Sequence, residues 1–331
     1  MFKQLALIAF LFPLCFGYTE WSFQIDDNKL LLFNVSGGTP SQKFTIGTFH
    51  LGFYHPLRVP DASTTGGIFN PSKSSTWSKT GDSKDRNGTK NGIVGTDTLT
   101  ITSDLVIKTS EPFEVISNGW EFPGMGTFTL TRSDDGSVAF SDKLLADQKQ
   151  KLVTLVYDYW SDPSKSAGLT GHFSIGGKPA KQCATVWTMF NETVYEDRTF
   201  EQWTVNVTKL TVGKYQASTP GQASFQINDD GIGLPGPVYD SVLEGLDSSD
   251  GSTIPCGSNT NITFTLDQNF QINLQPKDFV RQNSDGTCVV AANRLDKGVY
   301  GFILPVYVLR DYCLVLDYIN KQLGLANRTF N

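Results

Sequence analysis

The segment with the clearest chemical capacity is residues 223–237, ASFQINDDGIGLPGP. An apolar approach leads into an acidic-glycine turn, Asn228-Asp229-Asp230-Gly231, and leaves through Gly236-Pro237. A carboxylate in such a turn can act as a base on a water molecule. It does so efficiently when a second carboxylate stands about 3 Å away and the two share one proton, because both cannot ionise at that distance. A glycine and a hydroxyl residue beside each acid let the loop turn sharply and hold the pair by hydrogen bonds. One loop supplies at most half of such a site, so the rest of the chain decides whether there is an enzyme.

Other chemistries find little support. His50 and His55 stand five positions apart, with no Cys, His or carboxylate cluster beside them to complete a zinc set, and read as ordinary loop histidines. With His172 they are the only histidines. There is no His-Glu-x-x-His, no Gly-x-Ser-x-Gly and no P-loop, so neither a metal nor a cofactor is expected. The acidic-glycine turns at Asp134-Asp135-Gly136, Asp250-Gly251 and Asp285-Gly286 read as hairpin connections, and Asp97 as a structural strand residue.

The elements that must position the loop come next. Gly 31, Phe 23 and Tyr 11, with Thr/Val/Ile runs set between Gly, Asn, Asp and Ser clusters, favour a mainly β protein. Strands are expected at Lys29–Val35, Gly95–Thr102, Leu152–Tyr157, Trp203–Val212, Ile262–Leu266 and Tyr307–Tyr318. Two short helices are expected, one from Ser141 to Gln148 with Ser141 as N-cap and one from Pro237 to Leu246.

The first 17 residues carry one early Lys, an apolar stretch from Leu5 to Phe16 and a small-residue exit at Cys15-Phe16-Gly17. That pattern is a secretory signal peptide, and no later segment is long and apolar enough to span a membrane. A net charge of −6 without a basic stripe argues against a nucleic-acid partner. Cys15 leaves with the signal, and the remaining Cys183, Cys256, Cys288 and Cys313 allow three disulfide pairings. Sequons for N-glycosylation stand at Asn34, Asn87, Asn191, Asn206, Asn261 and Asn327, so a secreted, extracellular glycoprotein is expected.

In order along the chain, several segments resemble the pepsin-like aspartic proteases. They are Gly38-Thr39-Pro40-Ser41-Gln42-Lys43-Phe44-Thr45, Val59-Pro60, the run from Ile68 to Thr76, Gly92-Ile93-Val94-Gly95-Thr96-Asp97-Thr98, Phe173-Ser174-Ile175-Gly176-Gly177, Trp203-x-Val205 with Leu210-x-Val212-Gly213, the spacing of Cys256 and Cys288, and the tail from Gly301 to Ala326. The resemblance implies a bilobal pepsin-like acid protease fold with a central cleft and pseudo-two-fold symmetry. Its lobes would be residues 18–180 and 181–331, following a signal at 1–17. It implies a Cys256–Cys288 bridge, which leaves Cys183–Cys313 as the other.

The same resemblance shows what has changed. Counted back from Gly236-Pro237, Asn228-Asp229-Asp230 stands at the Asp-Thr-Gly of the second loop; a one-residue deletion would align Asp229-Asp230-Gly231 instead. In the first loop the Asp position falls on Phe49 from the amino side or Leu51 from the carboxyl side. No Asp or Glu occurs between Lys43 and Asp61, and Arg58 replaces the aromatic residue expected before Val59-Pro60. The Tyr-Gly of the flap becomes Asp85-Arg86, and the late Leu-Gly-Asp becomes Leu304-Pro305-Val306. About 20 residues between the signal and Gly38 leave no room for the family's propeptide. The expectation is a monomeric protein whose cleft binds a peptide, protein or glycan without cutting it, with Asp229 a residual acid; the alternative is an aspartic endopeptidase with an atypical site.

Overall fold

Runs of alternating apolar and polar residues, broken by Gly, Asn, Asp and Ser clusters, fold into strands because each strand can bury one face. A computed structural model describes residues 19–25, 31–48, 51, 56–64, 67–84, 88–102, 105–108, 113–117, 124–132, 139–158, 170–179, 181–193, 203–217, 221–226, 231–295 and 301–329. Among them the architecture is mainly β, as the composition predicts, with three sheets and a few short helices.

The largest sheet begins at Thr188–Asn191 and runs in spatial order through Gln322–Asn327, Tyr312–Asp317, Leu152–Tyr157, Thr170–Ile175 and Thr19–Ile25. It continues through Leu31–Gly37, Gln42–Thr48, Met125–Thr127, Arg58–Pro60, Phe113–Ile116 and Lys90–Thr96 to Ser78–Lys84. Thr98–Thr102 branches from Leu31–Gly37 and carries Leu105–Lys108. Leu152–Tyr157 is buried at every position, which is why its sequence is a continuous apolar run around one Thr.

The second sheet orders Gln271–Leu274, Ile262–Leu266, Thr204–Val212, Gly221–Gln226, Phe302–Pro305, Ile232–Pro235 and Ala292–Leu295, with Tyr215–Ala217 paired to Thr204–Val212. A third joins Thr253–Ile254, Cys288–Val290 and Val280–Gln282. Phe69 is fully buried and packs edge-on against Phe44 and Phe113, with Trp77 closing the cluster.

Several boundaries differ from expectation, each for a local reason. The span 95–102 is two strands, because Asp97 turns its carboxylate onto Thr76 Oγ1 (2.6 Å) and the Thr98 N–H (2.8 Å), interrupting the ladder. The first helix is Phe140–Leu145, and Ser141 is no N-cap: its hydroxyl donates to the Thr131 carbonyl, while Asp142 receives the Ala139 N–H at 3.1 Å. That helix ends sooner than expected, and Lys151 Nζ satisfies the Leu145 and Ala146 carbonyls at its end, at 2.6 and 2.7 Å. The second helix is Gly236–Gly245, with Pro237 in its first turn. Tyr307–Tyr318 is a 3₁₀ segment, Val306–Asp311, followed by a strand, Tyr312–Asp317. The 3₁₀ turn brings Arg310 to the buried Asp278 and to Asp311, and these hydrogen bonds, Asp311 first, raise its pKa further. Asp285-Gly286 joins an antiparallel pair as expected, whereas Asp250-Gly251 links a helix to a strand. Asp134–Gly136 lies outside the described residues.

Candidate functional site

The two loops that would carry a catalytic pair are built on the same scaffold twice. In the first, Gln42–Thr48 approaches and lies parallel to a crossing strand, Met125–Thr127, which is antiparallel to the exit strand Arg58–Pro60. The exit strand lies parallel to Phe113–Ile116. In the second, Gly221–Gln226 approaches parallel to the crossing strand Phe302–Pro305, which bridges antiparallel to the exit strand Ile232–Pro235. That exit strand lies parallel to Ala292–Leu295.

Close approach at each crossing demands glycine. A Cβ on Gly126 would lie 2.8 Å from the Arg58 carbonyl oxygen, and one on Gly233 would lie 2.6 Å from Ile303 Cβ. The crossing at Gly126 is fastened by the Phe128 N–H donating to the Gly47 carbonyl at 3.0 Å.

The residues at the loop tips fall differently. Leu51 is 1% exposed and packs in the main hydrophobic core beside Leu57 and Val59, so the carboxyl-side count puts a core side chain at the first Asp position. Phe49, Asn228, Asp229 and Asp230 lie outside the described residues, as do His50 and His55. The segments expected to flank the flap, Ser78–Lys84 and Lys90–Thr96, form an antiparallel pair, and Asp85, Arg86 and Asn87 lie outside the described residues. On this hairpin Asp82 lies 2.8 Å from Lys79 and 2.9 Å from Lys90, whose hydrogen bonds hold its pKa at about 2.

Arg58 pairs with Glu114 on the adjacent strand at 2.7 Å, so the residue replacing the expected aromatic is held by an ion pair. A second group, unforeseen in the sequence, centres on Arg132. Its guanidinium pairs with Glu192 and sits 4.7 Å above the Trp203 ring. Glu192 also receives the Trp203 N–H at 2.7 Å, holding Trp203 at φ 61°. The Trp203 indole and the Tyr318 hydroxyl both donate to the Leu130 carbonyl, at 2.8 and 2.6 Å. Burial raises the pKa of Tyr318 well beyond the phenol range. No linear motif could announce this group, since its members come from four separate segments.

The disulfides are Cys183–Cys313 and Cys256–Cys288. Of the sequons, Asn34, Asn191, Asn261 and Asn327 are exposed, whereas Asn206 is half-buried and its amide donates to Asp267 at 2.9 Å. Asn87 lies outside the described residues. No group of three or more His, Cys, Asp and Glu among the described residues could hold a metal, and no described helix is long and apolar enough to cross a membrane.

A mainly β chain with two crossed-strand scaffolds, a hairpin beside the first and a late disulfide defines an aspartic-protease-like class of protein. A model of the eukaryotic aspartyl protease family matches residues 32–328, and the chain belongs to that family. It is similar to gastricsin of Macaca fuscata fuscata, with 24% identity over 323 residues that cover 88% of this chain and 82% of gastricsin.

Proposed function

We propose that this chain is a secreted glycoprotein in which the aspartyl protease framework binds a peptide, protein or glycan without cleaving it. The observation that carries the reading is the first loop: residues 44–60 contain no Asp or Glu, although the strands that enter and leave it are in place. The core position of Leu51 supports the same reading, because an apolar side chain there anchors the loop where an acid would have to work. On the gap-free count the second loop offers Asn228, which keeps the shape of Asp and cannot serve as a base. With a one-residue deletion Asp229 takes that position and has no partner acid in the first loop. Removing one member of a catalytic unit costs about 10⁴ to 10⁶ in rate. The apolar leader at 1–17 and two disulfides support an extracellular location, and the acidic balance supports a protein, peptide or glycan partner over a nucleic acid. The working unit is a monomer.

The test is hydrolysis of denatured globin from about pH 3 to 6, the range in which a carboxylate dyad shares a proton, with and without pepstatin, a transition-state mimic for that dyad. The expected result is no turnover above the solvent background. Pepstatin-sensitive cleavage would overturn the non-catalytic reading and establish an endopeptidase built around Asp229.

A further inference from the structure

We infer that the outer face of the strands around Asn34 is the resting place of that residue's own N-linked glycan. Leu31–Gly37, Gln42–Thr48 and Thr98–Thr102 lie side by side, with Asn34 opposite Thr45 and Ser36 opposite both Lys43 and Thr100. Paired residues in a sheet share a face, and residues two apart on a strand do too. These registers therefore put Asn34, Ser36, Lys43, Thr45 and Thr100 on one surface. An open groove of about 570 Å³ lies there, within the roughly 300–1,000 Å³ that holds a drug-sized ligand.

The chemistry of the lining suits a sugar. Three hydroxyls and one ammonium line the groove together with the largely buried Val35, Phe44 and Ile101, and a sugar offers both hydroxyls and an apolar ring face to such a mixture. The Asn34 carbonyl oxygen receives the Thr45 hydroxyl at 3.3 Å, and its amide nitrogen has no protein acceptor among the described residues. That nitrogen is the atom through which a glycan attaches. Ser36, the hydroxyl residue of the sequon, stands on the same face.

The groove is too open to hold a free sugar firmly. A glycan tethered at its rim needs no such affinity, because attachment makes the contact intramolecular and its local concentration high. Asn206 presents the opposite case: it is half-buried and one amide hydrogen is committed to Asp267, so it is the described sequon least suited to modification.

The inference rests on the secreted-glycoprotein reading, and the experiment separates the two. The full chain is expressed in a eukaryotic secretory host, and each sequon is mapped by enzymatic deglycosylation in heavy-oxygen water followed by peptide mass spectrometry. Near-complete occupancy is expected at Asn34 and the lowest among the described sites at Asn206. The native protein is then labelled with an amine-reactive acetyl ester before and after enzymatic trimming of its glycans. Lys43 should react several-fold faster after trimming, while the exposed Lys149, about 40 residues from the nearest sequon, should not change. The Asn34→Gln variant should show the fast Lys43 rate without trimming. Occupied sequons elsewhere with Asn34 bare, or equal Lys43 rates in all three samples, would overturn the groove assignment. A secreted chain with all six sequons bare would instead sink the glycoprotein reading.

Discussion

The two crossed-strand scaffolds invite comparison because they share connectivity and differ in how they are held. Each has an approach strand parallel to a crossing strand, a glycine at the crossing, and an exit strand parallel to a fourth neighbour. In the first, nine residues separate Thr48 from Arg58; in the second, five separate Gln226 from Ile232. The longer loop carries no acid, and its Leu51 has entered the core. The exits diverge as well. Arg58 pairs across to Glu114, whereas the second exit runs straight into helix Gly236–Gly245, where Asp240 meets Arg294 of the neighbouring strand. The lesson is that backbone crossing geometry and loop composition are separable: each crossing has its glycine, while the first loop carries no Asp or Glu.

The largest expected effects concern how the chain is tied beyond these scaffolds. Cys183–Cys313 closes a separation of 130 residues and Cys256–Cys288 one of 32. On the loop-entropy argument, opening the first costs about 4–5 kcal/mol and the second about 3–4 kcal/mol. Urea melts of Cys183→Ser/Cys313→Ser and Cys256→Ser/Cys288→Ser should rank in that order, and the reverse order would show that the shorter bridge also restrains the second scaffold.

Next comes Glu192→Ala, which removes the carboxylate that pairs with Arg132 and receives the Trp203 N–H, where both acid and base are almost fully covered. A loss of about 3–5 kcal/mol is expected. A loss below about 1 kcal/mol, the scale of an exposed pair, would mean the group is solvated in practice.

Gly126→Ala and Gly233→Ala probe the comparison most directly. If the crossings are equivalent, each costs about 1–3 kcal/mol from forced overlap. A clear inequality in denaturant midpoints would show that one crossing has room to relax.

Arg58→Ala should cost at most about 1 kcal/mol, because the guanidinium is a third exposed, and the effect should shrink in high salt. The smallest effect belongs to Asp82. Its pKa is lowered from 3.8 to about 2, so the stability it lends the hairpin is present above pH 4 and fades as pH falls through 2. Asp82→Asn should remove that part of the acid dependence seen in hydrogen exchange of residues 78–96, and an unchanged profile would place the acid response elsewhere.

Much of the framework is legible in the chain itself. Leu152–Tyr157 and Ile262–Leu266 begin and end where their residue patterns say, because each is a continuous buried or alternating run between turn formers. The absence of Asp and Glu from residues 44–60 is legible too, since it depends on residue types alone. What the linear pattern hides is competition by side chains. Asp97 breaks a strand by binding its neighbour's N–H, and Ser141 gives up a cap for a distant carbonyl. Arg58 and Arg132 find partners 56 and 60 residues away, and Asn206 looks like any other sequon until Asp267 is seen beside it.

The order of strands in the largest sheet has a consequence for how the chain is made. Leu152–Tyr157, deep in that sheet, is paired on one side by Tyr312–Asp317, which is itself covered by Gln322–Asn327 near the carboxyl end. A ribosome delivers those strands more than 150 residues after Leu152–Tyr157. Until they arrive, a strand buried at every position in the finished fold waits with an open edge, the kind of surface that invites wrong pairing. That edge must therefore be kept from wrong pairing until Tyr312–Asp317 has emerged to cover it, and a chain cut short before Tyr312 should aggregate rather than persist as a stable fragment.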